Sequence, residues 1–383
     1  MQVSTRELAA ATPTTRDRTV DALRAIAIAV VVLGHWTMAV VGHDRHASNL
    51  LELEPWTRRL TWVLQVMPVF FAVGGFAGAA SWTAARRAGT GFGPWLHGRL
   101  RRLLLPVVPL VGVWTLGLQV LAAAGVDPGL RHDVSRLAAM PLWFLAVFLA
   151  AVVTTPVAVR ADERWGLLVP VALAVGAAVG DLTWGWANFG FVWLFAHQLG
   201  VAWRSGRIVP SPRLGLAMAG AGLAGLVVLT TWGGYGVSLV GNWDGQRSNT
   251  DPPTLAILAA TLLQVGLAFA ARPALARLCD RPAAWRAVIA ANGVAMTAFC
   301  WHLTAAVAVG ATGLLGGPGW MARLPWLFGC AAVLVPLVAA FSSVERASVA
   351  PPRRAMGDAT ATIAAAAAVC SLALLALFGF PFA

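Results

Sequence analysis

The sequence predicts an all-α, polytopic membrane protein, a bundle of ten or eleven transmembrane helices. Three observations carry this. Of 383 residues, 58% are hydrophobic and only 11% charged, the balance of a chain solvated by lipid rather than of a soluble enzyme. Apolar runs of about 17–25 residues, long enough to cross a hydrocarbon core, recur from one end to the other. The basic residues, every one an arginine, gather in alternate segments between those runs, as the positive-inside rule requires.

The elements follow in order. Residues 1–19 are polar and arginine-containing and read as a cytoplasmic N-terminal segment. They lead into a full-length span, which marks a retained helix and not a cleaved signal peptide. Residues 20–383 read as a single transmembrane domain. Its first run is 20–42. The second, 60–85, contains FFAVGGFAGAA, where Gly74, Gly75, Gly78 and Ala79 form a small-residue face suited to close helix packing. Run 103–124 follows Arg99, Arg101 and Arg102, and run 140–159 stops at Arg160. Runs 165–180 and 184–203 are less cleanly cut, the former short and glycine-rich, so the count is ten or eleven. Runs 214–235, 253–271, 287–312, 324–342 and 360–380 complete the chain. With the N-terminus inside, twenty arginines fall in inner segments and seven in outer ones, with Arg24 inside the first run. The outer seven are Arg45, Arg58, Arg59, Arg131, Arg136, Arg247 and Arg323.

The net charge of +12 does not argue for nucleic acid. That inference needs a basic patch with stacking aromatics on a soluble surface, and here the charge is a topology signal. Cys279, Cys300, Cys330 and Cys370 are too dispersed for a zinc site or a disulfide framework.

The first run is unusual in its polar content. DALRAIAIAVVVLGHW, Asp21 to Trp36, is apolar enough for a bilayer yet holds Asp21, Arg24 and His35. Ionisable groups are costly there and mark function by default. At about 100° per residue, His35 returns to within roughly 20° of Arg24 and lies about 16 Å further along the axis. One helix face therefore presents an acid, a cation and an imidazole. Arg24 can snorkel to headgroups, or fork onto phosphate oxygens with Asp21 orienting it at i,i+3 spacing. His35 is the side chain suited to proton transfer near neutral pH. With no His, Cys or carboxylate at i+3 or i+4, it makes a poor metal ligand, and no metal is expected. Arg99 and Arg102, one turn apart, can clamp phosphates or simply serve topology. His302 is a second imidazole in an apolar run, a pocket residue or a structural one. The outer stretch GVSLVGNWDGQRSNTDPP carries Asn242, Asp244 and Asn249, which suit either a glycan surface or plain turns.

These segments together resemble the membrane-bound acyltransferase 3 family, which includes glycan O-acetylases. The resemblance rests on the first run, with Arg24 and His35 as the family's Arg-x10-His motif. FFAVGGF (70–76), Arg99-x-x-Arg102 before LLLP, PLWFL (141–145) and FCWHL near the end reinforce it. Gly74 stands where the family often has Ser, and the C-terminal esterase-like domain many members append is not expected here. The resemblance implies transfer of an acyl group, commonly acetyl, from cytoplasmic acyl-CoA to a hydroxyl of a glycan, glycolipid or glycosylated metabolite outside. His35 would be the general base or acyl acceptor. Arg24, Asp21, Arg99 and Arg102 would hold the donor, and His302, Trp143, Asn242, Asp244 and Asn249 the acceptor. The expected partners are acyl-CoA, the glycan acceptor and the bilayer of a bacterial cell membrane, with self-association left open. The competing reading is a transporter or flippase using the same polar track, against which the sequence shows no paired interrupted helices.

Overall fold

The computed structural model describes residues 12–13, 16–41, 47–242, 245–313, 320–350 and 355–381. These residues are overwhelmingly helical. In chain order the helices are α1 (Arg18–Met38), α2 (Leu50–Leu53), α3 (Thr61–Leu64), α4 (Met67–Arg87), α5 (Phe92–Leu104), α6 (Val107–Ala123), α7 (Pro128–Ala139) and α8 (Leu142–Trp165). They continue as α9 (Leu168–Leu182), α10 (Asn188–Arg204), α11 (Pro212–Thr231), α12 (Leu255–Cys279), α13 (Pro282–Asn292), α14 (Ala295–Ala311), α15 (Trp320–Ser348) and α16 (Asp358–Phe378). A small antiparallel hairpin, β1 (Ala39–Val41) with β2 (Ala47–Asn49), follows α1 and pairs Ala39 with Asn49.

Each of the eleven apolar runs coincides with helix, but not all are long enough to cross a bilayer. Among the described residues, seven helical stretches pass by length and hydropathy. The total rises to nine if the bent pairs, α5 with α6 (41°) and α13 with α14 (66°), each count as one span. The shortfall lies in α9 and α10, at 15 and 17 residues, or about 22 and 26 Å at 1.5 Å per residue. Both lie in the stretch 165–203, whose first run is short and glycine-rich. The two bent pairs also correct the expectation of uninterrupted helices, so that argument against a transporter does not stand. Two further boundaries differ. Run 214–235 ends at Thr231, where Trp232 caps the helix and Gly234 turns the chain at φ 73°. Run 324–342 continues to Ser348, which brings Glu345 into α15.

The chain divides into two compact units: Met1–Val31, Leu51–Thr83 and Thr154–Asn292 form one, and Val32–Leu50, Ala84–Val153 and Gly293–Ala383 the other. In the first, Val20, Ala72, Val73, Trp203, Val265 and Phe269 form a buried cluster. The expected small-residue face of α4 packs against α10. A Cβ on Gly75 would lie 2.0 Å from the His197 carbonyl oxygen, and one on Gly200 would lie 1.8 Å from that of Ala72. Such approach supplies the van der Waals contact that associates helices where lipid offers no hydrophobic drive. Along α9, Leu168, Val171, Val175, Val179 and Leu182 recur at helical spacing and are 53–86% exposed, an apolar stripe with the composition of a lipid-facing surface.

In the second unit α14 is held by aromatic and polar contacts. Trp301 stacks on Phe341 of α15 with centroids 4.2 Å apart, and Trp114 of α6 donates to the Thr304 hydroxyl at 2.9 Å. Gly93 of α5 lies so close to the start of α16 that a Cβ would meet the Met356 carbonyl at 2.6 Å. Its amide donates to the Asp358 carboxylate at 2.7 Å.

Candidate functional site

His35 stands one turn from the end of α1, and His302 sits mid-way along α14. The fold brings them together: His35 Nδ1 is 2.9 Å from His302 Nε2. Their planes lie 23° apart with centroids 5.0 Å apart, the arrangement of rings meeting edge to edge through their nitrogens. The two are not equivalent. His302 has no exposed surface, while His35 is partly exposed. The other nitrogen of His302, Nδ1, is 2.7 Å from the Phe299 carbonyl oxygen, one turn back on its own helix.

The last turn of α1 is fastened around this pair. Trp36 Nε1 donates to the His302 carbonyl at 2.8 Å, and Trp326 Nε1 of α15 donates to the Trp36 carbonyl at 2.9 Å. Arg323, on the same face of α15 as Trp326, donates to the Thr37 carbonyl and is 1% exposed. The bonds to the Trp36 and Thr37 carbonyls satisfy acceptors that the C-terminus of α1 leaves without intrahelical partners. Phe299 packs edge-on against Phe144 at 5.6 Å, so the PLWFL segment contributes to the wall behind the pair. Phe144 rather than its neighbour Trp143 makes this contact. Trp143 lies half-buried on α8, edge-on to Phe144 at 6.3 Å.

The acid and cation of α1 belong to the first unit. Asp21, 4% exposed, receives Arg24 Nη2 at 3.2 Å, as the i,i+3 spacing predicts. Its stronger partner is Arg16, which donates through Nε at 2.6 Å and Nη2 at 3.1 Å. That two-pronged bond raises the Arg16 pKa, against the lowering effect of burial. Beside it, Arg272 pairs with Asp17 at 2.9 Å, and Thr19 donates to the same carboxylate. Burial alone would raise Asp17, but these hydrogen bonds overcome it and hold the acid below the usual carboxylate range. Asn292, at the end of α13, donates to the Asp21 carbonyl at 2.9 Å.

Arg99 and Arg102 lie on α5, one half-buried and the other exposed, with Arg99 over the Trp95 ring at 5.9 Å. Arg101, between them, donates to the carbonyls of Ala347 and Ala350, at and just past the end of α15. That is a capping task sequence spacing did not reveal.

The acceptor residues expected in the 242–251 loop fare differently. Asn242 is exposed. Asp244 lies outside the described residues. Asn249 is fully buried, donating to the Gly236 and Ser238 carbonyls at 2.7 and 2.8 Å and accepting from Thr254 at 2.8 Å. Its amide organises its own loop. The loop is further fixed to Asp181 of α9, which accepts from Arg247 at 2.5 Å, the Tyr235 hydroxyl at 2.7 Å and the Leu255 amide at 3.1 Å.

Sequence reading missed Arg16, Arg323, Glu345 and a second buried imidazole besides His302, His197, whose Nε2 faces the Thr155 hydroxyl at 3.3 Å. The signal for Arg323 was present: an arginine immediately before the apolar LPWLF is as unusual as Arg24. Counting it as an outer-loop charge hid that. No group of three or more His, Cys, Asp or Glu among the described residues is arranged to hold a metal ion.

The fold is that of a polytopic membrane helix bundle, with an imidazole pair brought together on two of its helices. The acyltransferase domain family profile matches residues 17–342, from just before α1 into α15. The chain belongs to this acyltransferase 3 family. No curated protein and no solved structure matches it.

Proposed function

We propose that the protein transfers an acyl group, commonly acetyl, from acyl-CoA to a hydroxyl of a glycan, glycolipid or glycosylated metabolite, with His35 as general base. The observation that supports this best is the His35–His302 pair. A partly exposed imidazole, on the helix that carries the Arg-x10-His spacing, is backed by a buried one at 2.9 Å. Proton removal from an alcohol needs a neutral base held within hydrogen-bond reach, and imidazole is the side chain suited to it. Attack on the thioester then releases the CoA thiol, which takes the proton back.

Arg24, with Asp21 behind it, would bind phosphates of the donor, and Arg99 and Arg102 would add a second cationic contact. The roughly 16 Å rise from Arg24 to His35 along α1 is about the length of an extended pantetheine arm. Asn242, Asp244 and Trp143 would contact the acceptor, and Asn249 would serve by shaping the loop. The arginine distribution favours a cytoplasmic N-terminus in a bacterial cell membrane, with donor entry at the Arg24 end.

The test uses purified protein in nanodiscs, acyl-CoA labelled in its acyl group, and cell-envelope glycans as acceptor. His35→Ala should abolish transfer while acyl-CoA still binds, and Arg24→Ala should weaken donor binding. Near-normal turnover by the His35 variant would refute the base assignment. Substrate movement across vesicles without acyl turnover would favour a transporter.

A further inference from the structure

We infer that His302 is a positioning residue that fixes the protonation pattern of His35, leaving Nε2 of His35 as the atom that takes the acceptor's proton. The inference rests on the acyl-transfer reading for its catalytic meaning, but the pattern itself follows from hydrogen bonding alone.

A backbone carbonyl oxygen can only accept, so His302 Nδ1, 2.7 Å from the Phe299 oxygen, must carry a proton. In a neutral imidazole only one nitrogen is protonated, so His302 Nε2 presents a lone pair. That lone pair faces His35 Nδ1 at 2.9 Å, which must therefore donate. His35 then bears its proton on Nδ1, and its Nε2 holds the free lone pair. Nε2 is also on the far side of the ring from the fully buried His302, and His35 is the partly exposed member.

The arrangement plays the role that a buried carboxylate plays elsewhere, orienting a catalytic imidazole and choosing its tautomer. Here the chain ends on a peptide carbonyl and introduces no negative charge. When the acceptor O–H bond breaks, its proton goes to His35 Nε2 as the new O–C bond forms. The resulting positive charge is shared through the Nδ1–H···Nε2 bond onto His302, whose Nδ1–H still points at Phe299. The C–S bond then breaks, and the thiolate leaves with the proton from His35 Nε2. The bonds of Trp36, Trp326 and Arg323 around the end of α1 hold His35 at the distance this relay needs.

The test is NMR of nitrogen-labelled histidine in the full-length protein in nanodiscs, with the His35 signals assigned by their loss in His35→Asn. His35 should show a directly bonded proton on Nδ1 and none on Nε2. A proton on Nε2 instead would overturn the proposal. His302→Phe should scramble that pattern and lower kcat on the order of 10- to 100-fold, with KM for acyl-CoA unchanged. His302→Gln, whose amide oxygen can accept from His35 Nδ1, should restore the pattern and much of kcat. An unchanged pattern in a His302→Phe protein that still binds acyl-CoA would also overturn the proposal. If His302→Phe does not fold, the wild-type spectrum decides alone. The tautomer readout needs no acceptor, so wild-type protein with the expected pattern but no acyl turnover would sink the acyl-transfer reading and leave this one standing.

Discussion

Glu345 of α15 caps the helix that carries His302 by bonding to Thr297: its Oε2 accepts the Thr297 amide at 2.8 Å and the Thr297 hydroxyl at 2.6 Å. Oε1 takes the Met296 amide at 3.1 Å. These amides lie in the first turn of α14, just past the 66° bend from α13. A helix beginning inside a membrane bundle exposes N–H groups that water cannot reach, and a carboxylate from a neighbouring helix satisfies two of them. Glu345→Leu should therefore destabilise the protein by about 1–3 kcal/mol, the cost of leaving buried donors without acceptors. Glu345→Gln, keeping one acceptor, should cost less. Thermal unfolding in detergent measures both, and a Leu variant as stable as the parent would dismiss the cap.

The close contact of α4 with α10 makes a second prediction. Gly200→Ala would drive its new methyl into the Ala72 carbonyl, 1.8 Å away, so the helices must separate. Overpacking of this kind costs about 1–3 kcal/mol. Gly220→Ala on α11 meets nothing within 4 Å and should instead stabilise by up to about 1 kcal/mol through helix propensity. Denaturation midpoints of the two variants should move in opposite directions.

Asp17 links stability to pH. Its folded-state pKa is depressed, so it binds its proton more weakly in the folded protein than in the unfolded chain. That difference contributes stability above the ordinary carboxylate pKa of about 4. The contribution is lost as pH falls through the depressed value. Asp17→Asn should lower the melting temperature near neutrality and flatten its dependence on pH in the acid range. An equally steep acid profile in the variant would remove Asp17 from the account.

The chain has one tyrosine, Tyr235. Burial, together with its bond to Asp181, pushes the phenol up to about 12, although Arg247 opposes the shift. Ultraviolet titration should show no tyrosinate near the ordinary value of about 10. In Asp181→Asn the midpoint should fall toward it. Because Asp181 also holds Arg247 and the Leu255 amide, that variant should expose the 236–254 loop to protease as well.

Much of this was legible beforehand because membrane helices declare themselves by length and composition. The eleven apolar runs all became helix, and the Asp21–Arg24 pair followed from spacing within one turn. What spacing cannot show is contact between distant segments. Nothing local to AFCWHL reveals that His302 meets His35 across 267 positions. Arg16 takes the larger share of Asp21 from only five residues away, but it lies ahead of the helix, where helical spacing does not apply. Asn249 illustrates the opposite error: a polar residue in a polar loop suggests a ligand, yet its amide is consumed by the turn it builds. The helix breaks at Leu105–Pro106 and Gly293–Val294 were hidden because the apolar runs continue through them.

The shortness of α9 bears on the lipid as much as on the protein. Its outward apolar stripe covers about 22 Å, against a hydrocarbon core of about 30 Å. Acyl chains beside it must compress, or the flanking side chains must stretch toward the headgroups. Reconstitution into shorter-chain lipid should therefore raise the melting temperature relative to longer-chain lipid.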